Sequence, residues 1–232
     1  MNIALFGYGK MGKMIEAIAT ARGHRIVAMI DIGTISIDFD EMDVAIDFST
    51  PDAAFDNITK CLKHGVPVIS GTTGWLGKFG EAVATCHKMK GAFIYASNFS
   101  LGVNVFFELN SHLAKMMRQM KSYKVSIAEI HHTEKLDAPS GTAITLAEGI
   151  LADSDYVGWS NGDHGESEIP IESKRIGKVP GTHSVVYASE VDEIEIKHTA
   201  HNREGFALGA VVAAEWLLGK TGVYGMKDVL GL

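Results

Sequence analysis

The chain has little of what marks a secreted, membrane-spanning or nucleic-acid-binding protein. It carries only two cysteines, Cys61 and Cys86, too few for a disulfide framework and without metal-ligand spacing. The expectation is two reduced thiols in a cytosolic protein. No run of 18 apolar residues occurs, so no transmembrane helix and no membrane partner are expected. The first apolar stretch, residues 3–6, is cut short by Gly7, Gly9 and Gly12. A secretory signal needs a longer apolar segment, so the N-terminus reads as mature and the protein as cytoplasmic. Cations are also in deficit, with 21 Lys+Arg against 28 Asp+Glu and a net charge of −7. A nucleic-acid binder needs a basic face for the phosphates, so nucleic acid is not expected as a partner. A small anion is still allowed, because local cations and helix N-termini override a net charge. There is no internal repeat and no low-complexity tract.

What is present is an ordinary globular composition. Apolar residues make up 46% and charged residues 21% of 232 positions, enough for a packed core in one large domain or two small ones. Residues 2–6 form an apolar run ending in glycines, the pattern of a buried strand. Residues 10–22 then place Met11, Met14, Ile15, Ile18 and Ala21 at helical spacing, with Gly23 as the stop. Strands follow at 25–31, 44–48, 66–70 and 92–95, with helices from Pro51 to about His64 and from the 71–74 turn to about Lys88. Thr50 is placed to cap the second helix and Pro51 to open it. This alternation predicts a Rossmann-like parallel sheet covered by helices. Beyond residue 98 the texture changes. Helices are expected at 104–117, 142–151 and 206–217, and strands at 124–130, 184–189 and 193–198. A surface loop is expected at 153–168, making this half an α+β domain.

Gly7-Tyr8-Gly9-Lys10-Met11-Gly12 fits the dinucleotide fingerprint G-x-G-x-x-G. The match gains weight from its context. It follows an N-terminal strand, opens a helix, and Asp31 ends the next strand nineteen positions after Gly12. Gly7 permits the tight turn, Gly9 lets the backbone approach a pyrophosphate, and Gly12 lets helix and strand pack closely. The helix N-terminus offers amides to the anion, and Asp31 can accept from the ribose hydroxyls. The alternative is a strand–turn–helix whose glycines serve packing only. Gly71-Thr72-Thr73-Gly74 and Ala96-Ser97-Asn98-Phe99 each follow a predicted strand and so fall on the same sheet edge. Either could instead be an ordinary loop.

The stretch Glu129-Ile130-His131-His132-Thr133-Glu134-Lys135-Leu136-Asp137-Ala138-Pro139-Ser140-Gly141-Thr142-Ala143 is the densest in chemistry. Adjacent histidines on an extended chain point to opposite sides, which makes His131 and His132 poor co-ligands for one metal. No zinc motif accompanies them, so no metal is expected. One histidine can act as general acid while the other and Lys135 face an anionic substrate. Ser140, Gly141 and Thr142 at a helix N-terminus would offer amides to a carboxylate. A solvated polar loop is the plain alternative.

This segment closely resembles the signature of the dihydrodipicolinate reductase family, Glu-(Leu/Ile)-His-His-x-x-Lys-x-Asp-Ala-Pro-Ser-Gly-Thr-Ala, and every fixed position is matched. The glycine loop, the 71–73 turn, residues 98–104 and residues 198–209 are also similar to the family. The resemblance implies reduction of 4-hydroxy-tetrahydrodipicolinate to tetrahydrodipicolinate by NADH or NADPH, in the lysine (diaminopimelate) pathway. It implies His131 as the acid/base group and Lys135 as proton donor. His132, Gly141 and Thr142 would hold the carboxylates of a small dicarboxylate substrate. Gly7 to Gly12, Asp31, Gly71 to Thr73 and Ala96 to Phe99 would contact the cofactor. It further implies a homotetramer, with a nucleotide domain of residues 1–99 completed by 206–232 and a substrate and oligomerisation domain of residues 100–205.

Two departures from the family stand out. Only residues 32–42 separate Asp31 from the third strand, so a helix usual at that point is expected to be absent. Thr182 stands where glutamate is common, and no consequence is attached to it. The family often places an arginine directly after the acid. Here Ile32 and Gly33 follow, and no Lys or Arg occurs between Asp31 and Lys60, which favours NADH. Two other readings compete with this one. A sugar oxidoreductase with a Glu-Lys pair like Glu134-Lys135 would normally have proline next, where Leu136 stands. A non-catalytic NAD(H) sensor would need a docking element that the sequence does not display.

Overall fold

The computed structural model describes residues 1–31, 33–34 and 37–232. The chain divides into two compact units, Met1–Leu101 with Glu204–Leu232, and Gly102–Arg203. In chain order the first unit begins with β1 (Asn2–Phe6), α1 (Lys10–Ala21), β2 (Arg25–Ile30), β3 (Val44–Asp47) and α2 (Pro51–Lys63). It continues through β4 (Val68–Ser70), a single 3-10 turn (Leu76–Lys78), α3 (Phe79–Met89) and β5 (Ala92–Tyr95). The helix α4 (Leu101–Met117) leads into β6 (Lys124–His131), α5 (Gly141–Leu151), β7 (Gly158–Ser160), β8 (Glu168–Arg175), β9 (Gly181–Ala188) and β10 (Glu193–Ala200). The chain then returns to the first unit as α6 (Glu204–Leu217), β11 (Gly222–Tyr224) and α7 (Met226–Leu230).

The first sheet runs β11-β5-β4-β3-β1-β2, and every pairing in it is parallel. Its inner strands β1, β3, β4 and β5 are buried on both faces, and the period-two alternation divides the core. Ile3, Leu5, Ile46 and Ile94 face a layer containing Ile15, Ala19, Ala210 and Val211 of α1 and α6. Ala4, Phe6, Ala45 and Phe93 face Ile58, Leu62 and Ala82 of α2 and α3. Both cysteines are free and buried in that second layer, where burial pushes their thiols up and away from the thiolate. The expected strand–helix alternation is present, and Pro51 opens α2. Thr50 stands at the cap position, but its side chain makes no capping hydrogen bond. Among the described residues between Asp31 and Val44 there is no helix. No described helix is long and apolar enough to cross a membrane.

The second sheet is mixed, in the order β10-β9-β6-β8-β7. The β6–β9 and β9–β10 pairs are antiparallel, whereas β6–β8 and β7–β8 are parallel. One face packs Val125, Ile127, Ile171 and Val185 against Phe106 and Leu113 of α4 and Leu146 and Ile150 of α5. The opposite face, with Ser126, Ala128, Ile130, Ser184 and Val186, is half-buried in the single chain. The stretch expected to be one loop contains β7 and leads into β8, which sequence reading missed. The reason is local. Ile169 and Ile171 are the only aliphatic residues of β8, and Pro170 stands between them, which argues against a strand that the sheet nonetheless recruits. The sheet also extends β6 by one residue, making His131 its last member.

Candidate functional site

In a parallel sheet all carboxyl ends lie on one edge, and β1 is flanked there by β2 and β3, where the strand order reverses. Every segment expected to contact a cofactor emerges from that edge. Gly7 follows β1 with φ +89° and donates its N–H to the Ile30 carbonyl at 2.7 Å, tying the turn to β2. A Cβ at Gly7 would lie 2.2 Å from the Phe48 carbonyl oxygen, and one at Gly12 would lie 2.4 Å from that of Gly7. At Gly9, the α1 cap, a Cβ would meet nothing within 4 Å, so the protein itself does not demand glycine there. Open space over unpaired helix amides fits a pyrophosphate. Tyr8 bonds through its hydroxyl to Glu16, Lys13 sits 5.9 Å over the Tyr8 ring, Lys10 is exposed, and Met11 packs on the core. Asp31 is exposed just past β2, and its Oδ2 accepts from the Tyr8 N–H at 3.4 Å.

The other two segments divide their tasks. Thr72, one of the residues expected to contact the cofactor, has its hydroxyl buried and donating to Asp47 Oδ2 at 2.8 Å, which leaves only its backbone for a ligand. Gly71 donates its N–H to the Asp47 carbonyl at 2.9 Å, and Thr73 is exposed. Asp47, which sequence reading missed, is fully buried at the end of β3. Its carboxylate also accepts from Ser49 Oγ at 2.6 Å, Ser70 Oγ at 2.8 Å and Asn57 Nδ2 at 3.1 Å. Burial pushes its carboxyl above the usual range, against these four donors. The Phe99 side chain is likewise in the core, tilted on Phe48 at 5.8 Å, so only its backbone can serve the edge. Ser97 is exposed, Ala96 and Asn98 are half-buried, and Asn98 Oδ1 accepts from Ser100 N at 2.9 Å.

The chemistry-dense segment sits at the end of the second sheet. Alternation along β6 turns Glu129 and His131 to the same buried side, and leaves His132 half-buried. Glu129 is completely buried and carries four neighbours. Arg175 Nη2 donates to Oε1 at 3.1 Å, and the Ser140 N–H reaches both oxygens at 3.1 Å. His131 Nδ1 lies 3.3 Å and His183 Nε2 3.7 Å from Oε2. Burial alone would raise this carboxyl, but His131, His183 and Ser140 more than reverse it, and the group stays an anion. Burial lowers His183, favouring its neutral form. Glu129, His131 and His183 bring three ligand-type atoms within 4.8 Å of one another. Since Arg175 and the Ser140 amide already hold that carboxylate, a divalent ion there would face a guanidinium at close range.

Ser140 therefore differs from the expectation of a substrate amide. Its N–H goes to Glu129 and its Oγ lies 3.1 Å from His183 Nε2 while accepting from Ala143 N, so it caps α5 from inside. Gly141 is exposed and Thr142 half-buried, and helix geometry leaves their amides without intrahelical acceptors. Lys135 Nζ contacts both Asp137 oxygens at 2.7 Å, which holds the Asp137 carboxyl below its usual range. Arg175 braces the same loop, donating to the carbonyls of Asp137 at 2.6 Å and Lys135 at 3.3 Å. Beside it a cavity of about 330 Å³ is lined by His132, Glu134, Lys178, Asn202 and Arg203 among others. Sequence reading missed Lys178 and Arg203, which stand 46 and 71 positions from His132, because nothing local to either residue signals a site.

Family models named "Dihydrodipicolinate reductase, N-terminus" and "Dihydrodipicolinate reductase, C-terminus" match residues 1–99 and 102–230. A 4-hydroxy-tetrahydrodipicolinate reductase of Christiangramia forsetii is 60% identical over 233 residues, covering 99% of this chain and 98% of that protein. One of Thermosipho africanus is 37% identical over 232 residues, with the same coverage. These two relatives are thus as short as this chain, whereas alignment with the Chromobacterium violaceum reductase runs over 267 positions at 37% identity. Among solved structures, a dipicolinate-bound dihydrodipicolinate reductase from a Paenisporosarcina species superposes with a TM-score of 0.81 at 23% identity, covering 98% of both chains.

Proposed function

We propose, from the premise that this chain belongs to the dihydrodipicolinate reductase family, that it reduces 4-hydroxy-tetrahydrodipicolinate to tetrahydrodipicolinate in lysine (diaminopimelate) biosynthesis. The observation that carries the reading is the union of two half-sites in one sequence. One is a glycine-cradled carboxyl edge, and the other a cluster of His131, His132 and Lys135 beside a cavity with two further cations. A bound NADH or NADPH supplies the hydride. Gly7, Gly9 and Gly12 with the α1 amides would hold its pyrophosphate, Asp31 its ribose, and Thr73 and residues 96–98 its remaining length.

The second unit would hold the substrate. His132, Lys178, Arg203 and the amides of Gly141 and Thr142 face a dicarboxylate with positive charge and donors. The conversion expels the 4-hydroxyl as water and adds a hydride and a proton to the ring, so the negative charge that develops there during reduction needs a proton donor. Lys135, released from Asp137 when an anionic substrate competes for it, is the donor, with His131 as the acid/base group. The half-buried open face of the second sheet is where subunits of a homotetramer would meet.

An assay that generates the unstable substrate by coupled synthesis and follows NADH or NADPH absorbance tests this reading. We expect turnover with both, and kcat/KM about tenfold higher for NADH. Asp31 would repel a 2′-phosphate, and the hollow beside β2 is lined among the described residues by Asp38 and Glu41 with no cation. A preference for NADPH at low and moderate salt would overturn the cofactor argument and point to Lys10 or Lys13. Light scattering on the same preparation should give four times 25.0 kDa.

Gly141 provides a sharper check on the substrate side. A Cβ there meets nothing within 4 Å, so Gly141→Val should fold and bind NADH normally. Its bulk would stand where a carboxylate approaches the α5 amides. The apparent KM for substrate should rise about 10- to 100-fold, the worth of a lost charge-assisted hydrogen bond. An unchanged KM would remove Gly141 from the site.

A further inference from the structure

We propose that Glu129 is the positioning residue for His131: its buried carboxylate holds a proton on Nδ1 and so presents Nε2, over Gly181, as the working nitrogen. This rests on the reading of His131 as the acid/base group. Three observations support it. Glu129 and His131 lie two residues apart on β6 and share its buried side, with Nδ1 3.3 Å from Oε2, an ion-pair distance at which the present ring angle makes no hydrogen bond. The carboxylate cannot drift, since Arg175 and the Ser140 amide fix both of its oxygens. The far edge of the imidazole faces a residue with no side chain. A Cβ at Gly181 would come within 3.1 Å of His131 Nε2, so any larger residue would crowd the nitrogen that is meant to be free.

His183 completes the arrangement as a neutral neighbour. It pairs across the sheet with Glu129, and its ring meets that of His131 edge-on at 5.0 Å. Because burial favours its uncharged form and its Nε2 is engaged with Ser140 Oγ, it competes weakly for the carboxylate. Other charged or titratable groups near the pair include Arg175 on β8, His198 on β10, and Lys135 and Asp137 on the loop. Glu129 is the carboxylate that faces His131, with Oε2 3.3 Å from Nδ1. Its charge sets the tautomer, because a neutral imidazole beside a carboxylate keeps its proton on the facing nitrogen.

Glu129→Gln removes the anion and keeps the shape. The kcat/KM at neutral pH should drop about tenfold or more, less than the ~10²–10⁴ of losing the acid itself. Glu129→Gln placed on His131→Gln should cost nothing further, since a residue acting through another has no effect once that other is gone. An unchanged kcat/KM in Glu129→Gln, or an added loss in the double variant, overturns the proposal. If Glu129→Gln does not fold, ¹⁵N-histidine NMR of the wild-type protein decides it. The resonance absent from His131→Gln must show a protonated Nδ1 at neutral pH, and a bare Nδ1 overturns the proposal. Full activity in His131→Gln would instead overturn the acid/base reading, a separate result.

Discussion

Lys135→Ala and His131→Gln should each lower kcat/KM by about 10²–10⁴, the usual worth of an acid–base group, while NADH binds as in the wild type. The separation of effects comes from the chain's organisation. Both residues belong to the unit spanning Gly102–Arg203, whereas the glycine loop, Asp31 and the 71–73 turn belong to the other. Neither substitution touches the packing that builds the nucleotide edge. Among the described residues the Lys135 ammonium pairs with exposed Asp137, and Arg175 braces its loop through backbone carbonyls, so alanine removes an ammonium and little else. Titration of NADH fluorescence, run beside the coupled assay, reads the two halves independently. Wild-type turnover in either variant would cancel the role assigned to that residue.

The second large effect is expected at the glycine loop, where Gly7 and Gly9 should respond in opposite ways. Gly7 has φ +89°, and a methyl group there would lie 2.2 Å from the Phe48 carbonyl oxygen. Backbone faces backbone, and neither can rotate away. Gly7→Ala should therefore cost about 2–4 kcal/mol, combining left-handed strain with overpacking, and should abolish NADH binding. Gly9 has φ −81° and empty space around it. Gly9→Ala should keep the wild-type melting temperature yet bind NADH at least about tenfold more weakly, because only the pyrophosphate needs that space. Calorimetry and NADH titration on the two variants check this directly. A stable Gly7→Ala protein, or Gly9→Ala with unchanged affinity, would show that the loop's glycines have been given the wrong tasks.

The local order of the nucleotide half was legible because its signals are local. A strand that ends in Gly7, a helix with Ile15 and Ala19 at one face, and Asp31 after the next strand are read from periodicity and turn chemistry within thirty residues. The carboxyl edge follows from parallel order alone, which puts each post-strand segment on the same side. The 129–143 segment was legible for the same reason: its histidines, lysine and helix start are neighbours in sequence. What the sequence left open depends on partners far along the chain. Glu129 stood in plain view without a role, because Arg175 and His183 reach it only through the β6–β8 and β6–β9 pairings. β8 itself has too little alternation to announce a strand, and it becomes one because β6 and β7 each have an edge to satisfy. Thr72 and Ser140 look outward on paper, since a hydroxyl or amide beside glycine suits a ligand. Burial of Asp47 and Glu129 next to them turned both inward, because a carboxylate out of water must collect donors wherever it finds them. Local chemistry thus decided most of the elements and which residue types gather, and only the tertiary structure recruited β8 and decided which polar atoms face a ligand and which hold the site together.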